Sequence, residues 1–204
     1  IEAASALIWE EIPSPLPATT KALELSLEAH KGQIRKSGEP YIVHPILVAA
    51  ITATISNDEK MVQAALLHDV VEDTDATIED LELEFGYDVA HMVEGLTKIV
   101  EIRDEELIPS GSDERLINSA LSFRKMLIAS IKDVRVLVIK LCDRLHNMLT
   151  LDALSFEKQK RISEETIVVY APIAHRLGIS RLKNHLEDLS FRYIYPDDYK
   201  SIDT

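Results

Sequence analysis

One cysteine, one tryptophan, six glycines and no long apolar run mark this 204-residue sequence. A single thiol, Cys142, cannot form an internal disulfide and fits a reducing compartment. The longest apolar stretch, from Pro45 to Ile55, is broken by threonines and is too short to span a bilayer, so no membrane association is expected. The first residues, Ile1 to Glu11, carry Glu2, Glu10 and Glu11 and no basic segment, so no secretory leader is expected and a cytoplasmic setting is. Basic charge is also scarce: Lys and Arg number 22 against 35 Asp and Glu, a net charge of −13. Such a surface repels a phosphate backbone and argues against nucleic-acid binding, although a local cluster of cations can still hold a small anion.

With 46% hydrophobic and 28% charged residues, the chain has the profile of a globular protein able to bury a core. Four of the eight prolines precede Tyr41, and few glycines follow, which favours long helices and an all-α fold. Lys21–His30 has helical apolar spacing closed by Gly32, residues 36–40 form a turn, and Pro45 suits a helix's first position. Ser56 and Glu59 have the spacing of a capping box opening a helix through His68. Thr77 is a second cap, with Leu81 and Phe85 spaced four apart and Gly86 as the stop. Glu101–Glu114, with Pro109 and Gly111, is expected as a mobile exposed loop. Helices are expected over Leu116–Ile131, Glu157–Tyr170 and Ser180–Tyr195. The β-branched run from Val134 continues without a breaker to Thr150, too far for an ordinary strand, and is read as a buried helix.

Three segments hold candidate metal ligands: Tyr41-x-x-His44-Pro45, His68-Asp69 with Glu72-Asp73, and Asp143-Arg144-Leu145-His146-Asn147. Taken singly, each has an ordinary structural explanation. Together they place ionisable side chains at the ends of core-like helices, where burial without a partner is costly, and a shared cation is the economical partner. Two imidazoles from His44 and His68 and two carboxylates from Asp69 and Asp143 suit a divalent transition ion, with room for water and substrate. Glu72 lies one turn beyond His68 and is placed to act as a base or acid on water at that ion. This chemistry is that of a metal-dependent phosphohydrolase.

At these residues the sequence resembles the HD superfamily of phosphohydrolases, in the order His44, His68-Asp69, Asp143. More closely, residues 29–45, Ala65–Thr74 and Lys140–Met148 resemble the N-terminal hydrolase domain of the RelA/SpoT family, and Tyr170–Gly178 resembles the segment leading to its synthetase domain. The resemblance implies a helical bundle of about ten helices over residues 1–195, with residues 196–204 starting the linker to a synthetase domain in a longer parent that also carries regulatory domains. It implies removal of the 3′-pyrophosphate from guanosine tetra- and pentaphosphate in stringent-response control, with one Mn²⁺ per chain or another divalent transition metal. It makes Glu72 and Asp73 the acidic pair, and Arg35, Lys36, Lys140, Asn147 and Thr150 the contacts to the guanine nucleotide. Leu149 departs from the family's usual Arg, which removes a cation expected beside the pocket. Two alternatives stand beside this reading: an HD phosphohydrolase of another nucleotide, and a catalytically silent nucleotide-binding module.

Overall fold

The computed structural model describes residues 1–105 and 112–202, and side chains outside 100–116. Among these residues the fold is all-α, the sole extended pairing being an isolated antiparallel bridge between Ile34 and Pro40.

Helices α1 (Glu2–Glu11), α2 (Pro17–Ala29), α3 (Val43–Ile55) and α4 (Glu59–Leu67) are followed by the single turn α5 (Val70–Asp73). Pro45 is the third residue of α3, not its first, but it still lies in the first turn, where its missing N–H has no helical partner to lose. The expected Ser56–Glu59 capping box does not form. Asp58 caps α4 by accepting from the Lys60 amide, and Ser56 Oγ accepts from the Asp58 amide. The Glu59 carboxylate instead accepts from the Leu16 amide and the Thr19 hydroxyl at the start of α2, where unpaired helix donors compete for it.

Next come α6 (Ile78–Phe85), α7 (Tyr87–Glu105) and α8 (Ser112–Lys132). Thr77 and Asp80 form a complete capping box, and Gly86, at φ 87°, ends α6 in a conformation that favours glycine. Residues 101–105 and 112–114, expected in a loop, extend the two flanking helices; the remainder of that loop, residues 106–111, lies outside the described residues.

Helix α9 (Val134–Leu149) leads through a 3₁₀ turn (Leu151–Ala153) to α10 (Phe156–Glu165), a π-helical turn (Thr166–Tyr170), α11 (Ala171–Arg176), α12 (Ser180–Ile194) and α13 (Pro196–Ile202). The stretch expected as the start of a linker is thus helical from Pro196 to Ile202.

Helix α9 organises the core because it is buried on two faces. Val136, Ile139 and Cys142 join a cluster built on α1, α2, α3, α4 and α7. Leu137, Leu141, Leu145 and Met148 join a second cluster with Met126 and residues of the π turn, α11 and α12. Ile139 and Leu141 are fully buried, and each such side chain contributes about 1.5–3 kcal/mol by leaving water. The run is helical because its apolar residues divide between these two cores at helical spacing, Val136 and Ile139 to the first and Leu137 and Leu141 to the second. None of the helices among the described residues is long and apolar enough to cross a membrane.

Candidate metal centre

The first turn of α3, the junction of α4 with α5, and the middle of α9 meet at one point. They deliver His44, the pair His68-Asp69, and Asp143. His68 and Asp69 do not sit inside one continuous helix as expected: α4 ends at Leu67, and both residues occupy the break before α5. The break frees their side chains from a regular helical face and lets both turn toward α3 and α9.

The donor atoms of His44, His68 and Asp69 lie within 4.8 Å of one another. Asp143 extends the group, its Oδ1 standing 3.0 Å from His44 Nε2 and 3.9 Å from His68 Nε2. His68 Nε2 is 3.1 Å from Asp69 Oδ1, and His44 Nε2 is 3.8 Å from Asp69 Oδ2. Both imidazoles are held from behind through Nδ1: that of His68 donates to the Ala65 carbonyl at 2.6 Å, and that of His44 lies 2.7 Å from His146 Nδ1. Each ring therefore turns Nε2 toward the same two carboxylates. Two imidazole nitrogens and two carboxylates, nearly buried, form a donor set that fits a divalent metal ion.

Electrostatics tie the cluster together. Desolvation lowers the His68 pKa, but the Asp69 and Asp143 carboxylates outweigh it and hold the ring above the usual histidine value. Burial would raise the Asp143 carboxyl, yet Lys140 and the hydrogen bond from His44 hold it well below the usual range. At the rim, on α5, partial desolvation and the Asp69 carboxylate push Glu72 up to about 7. The same two causes raise Asp73, which faces His30 Nδ1 at 3.7 Å. A cation in the cluster would draw both acids back down.

Beside the cluster lies a cleft of about 390 Å³, whose lining includes Arg35, Lys36, Lys140, Asn147 and Thr150. The turn carrying Arg35 and Lys36 is closed by backbone bonds from Arg35 to Glu39 and from Gly38 to Arg35, with Gly38 at φ 87°. Arg35 points inward, donating to Asn147 Oδ1 at 2.9 Å. Lys36 is exposed at the rim. Lys140 is neither a surface charge nor free in the cleft, since its Nζ sits 2.7 Å from Asp143 Oδ2. Asn147 donates to Asp143 Oδ1 at 3.0 Å, and the Thr150 hydroxyl bonds back to the last turn of α9.

The family description "HD domain" matches residues 22–180, a span that holds all four side chains of the cluster. The chain belongs to the HD domain family. It is 50% identical, over 92% of its length, to a protein of Myxococcus xanthus named GTP pyrophosphokinase. It is 45% identical, over 89% of its length, to the bifunctional (p)ppGpp synthase/hydrolase SpoT of Escherichia coli. The chain spans only 24% and 25% of these two relatives. A solved structure of a metazoan ortholog of SpoT, described as hydrolysing ppGpp, matches with a TM-score of 0.62 and 29% identity, covering 87% of this chain and 96% of that one. The RelA/SpoT resemblance read from the motifs and these relatives agree.

Sequence reading of this HD domain assigned no role to three groups. The Tyr41 hydroxyl donates to Asp69 Oδ2 at 2.8 Å, and burial beside that carboxylate raises its pKa. His146 backs His44, and burial together with the neighbouring His44 and Arg35 pushes its pKa down to about 3. His30 stacks near Tyr41, ring centroids 4.9 Å apart, and faces Asp73. Spacing held a signal for two of them: Tyr41 precedes His44 by three residues, and His146 follows Asp143 by three. Leu149, expected beside the nucleotide pocket, is 56% exposed and lines a separate groove of about 730 Å³ between α1, α3, α9 and α12. The helical turn sends Asn147 and Thr150 to one side of α9 and Leu149 to another.

Proposed function

We propose that this HD domain is a Mn²⁺-dependent 3′-pyrophosphohydrolase of guanosine tetra- and pentaphosphate. The observation that carries the reading is the convergence of two imidazoles and two carboxylates at the end of a cleft lined by Arg35, Lys36, Lys140 and Arg144. His44, His68, Asp69 and Asp143 would hold the ion, which when bound supplies positive charge at the diphosphate and acidifies water. Arg35 and Lys36 at the mouth of the cleft bind and orient an anionic nucleotide at that end, while Lys140 and Arg144 stay paired with Asp143 and Glu165. Arg35 and Lys36 flank the base and sugar, and Asn147 and Thr150 offer polar groups to guanine or ribose.

In the reaction a water oxygen joins the phosphorus nearest the ribose while the bond from that phosphorus to the 3′ oxygen breaks. Glu72, at the rim of the cluster, accepts the water proton, and Asp73 beside it supplies one to the leaving 3′ oxygen. The products are GDP or GTP and pyrophosphate. In a longer parent chain this unit would work beside a synthetase domain, as the bifunctional name of the Escherichia coli relative describes for that protein.

The test is product analysis with and without Mn²⁺. Pyrophosphate release from guanosine tetraphosphate is expected only with the ion. Asp69→Ala should lose both the ion and turnover, while Glu72→Gln should keep the ion and lose about 10²–10⁴ in kcat. Stoichiometric Mn²⁺ with no pyrophosphate would refute the substrate, and failure to retain Mn²⁺ would leave a silent regulatory module.

A further inference from the structure

Behind His44 stands a second histidine, buried on α9. His146 Nδ1 lies 2.7 Å from His44 Nδ1 and 3.2 Å from Arg35 Nη1. An arginine has no acceptor, so the contact with Arg35 makes His146 Nδ1 an accepting lone pair. Two ring nitrogens at 2.7 Å cannot both accept. The His44 Nδ1 must therefore carry the proton and donate it. Nε2 is left as the atom that faces Asp69 and Asp143: without a cation it donates to Asp143 Oδ1 at 3.0 Å, and a bound cation takes the place of that proton on its lone pair. Free histidine favours the opposite tautomer, with the proton on Nε2, which would point an N–H at an incoming cation. His68 solves the same problem with a backbone carbonyl, through its Nδ1 contact to Ala65.

We propose that His146 is a positioning residue of the metal centre: its Nδ1 holds His44 as the Nδ1–H tautomer and so presents the Nε2 lone pair to the ion. Arg35 anchors the arrangement from the cleft side, since it donates to both His146 and Asn147, and Asn147 in turn donates to Asp143. One guanidinium thus steadies, each through one intermediary, two of the four proposed ligands. The inference rests on the reading of His44 as a ligand.

Two measurements test it. Long-range ¹H–¹⁵N spectra of the metal-free protein, at mildly alkaline pH, read the His44 tautomer directly. Nδ1–H is expected in the unmodified chain. An unprotonated Nδ1 there would overturn the proposal, whatever the protein does with metal. Calorimetric titration with Mn²⁺ alone then compares variants. His146→Leu removes the acceptor and should weaken Mn²⁺ binding about 10–100-fold, the usual cost of losing the group behind a metal-bound imidazole. His146→Asn places an amide oxygen near the position of Nδ1 and should restore most of the affinity. A leucine variant that binds as tightly as the parent and keeps the tautomer would overturn the proposal, and so would an asparagine variant no better than leucine. A parent chain that binds no Mn²⁺ refutes the proposed function instead, and the tautomer and its response to His146→Leu still decide this one.

Discussion

Arg144 lies next to the proposed ligand Asp143 in sequence yet turns away from it. Its side chain is 6% exposed, its Nη2 donates to Glu165 Oε2 at 2.8 Å, and its guanidinium stacks 3.9 Å from the centre of the Tyr170 ring. Burial would lower its pKa, but Tyr170 and Glu165 hold it above the usual value. A buried guanidinium stripped of its carboxylate retains the desolvation cost without the attraction. Glu165→Ala should therefore destabilise the fold by about 3 kcal/mol in urea denaturation. Combining it with Arg144→Leu should cost less than Glu165→Ala alone, because no uncompensated charge remains. Additive losses would show that the pair is held apart from its surroundings and matters only through packing.

Helix α7 meets α9 at Gly95, where a Cβ would stand 3.0 Å from Val136 Cγ2. Gly95→Ala brings two opposed effects. Helix propensity favours alanine by about 1 kcal/mol, while overpacking a filled contact costs about 1–3 kcal/mol. Val136 is 1% exposed and has little room to yield, so packing should win and the variant should lose stability. In a Val136→Ala background the same change should become neutral or stabilising; an unchanged cost in that background, measured by denaturant midpoint, would refute the close-approach account. The sequence made much of this element level legible. Its scarce glycine and proline, the Thr77 cap and the long run from Val134 all led to helices that the structure contains. What it hid were choices between partners. Glu59 had the spacing to cap its own helix and was drawn to α2 instead, and the break at His68-Asp69 carries no glycine or proline to announce it. The four cluster residues were recognisable by type and order. The supports behind them were only half legible: Tyr41 and His146 stand three residues from a ligand in sequence, but Tyr41 meets Asp69 and His146 meets His44 only when α3, α4 and α9 pack.

Among the described residues two apolar clusters share one helix, and the cluster of His44, His68, Asp69 and Asp143 sits where α9 meets the elements of the first. Neither cluster can keep its α9 face if the other releases the helix. Trp9, the single tryptophan, packs against the first cluster, whereas far-ultraviolet circular dichroism reports helices of both. The two probes should give coincident unfolding curves, and Mn²⁺ in excess should shift both together to higher temperature. Separated curves would mean that α9 couples the halves only weakly. The sulfur of Cys142 has a place in this arrangement too. It neighbours Asp143 in sequence but belongs to the apolar cluster on another face of α9, and burial pushes its pKa up to about 12. An ion held by His44, His68, Asp69 and Asp143 meets nitrogen and oxygen alone, so a thiophilic intruder such as cadmium gains no soft donor with which to displace a harder one.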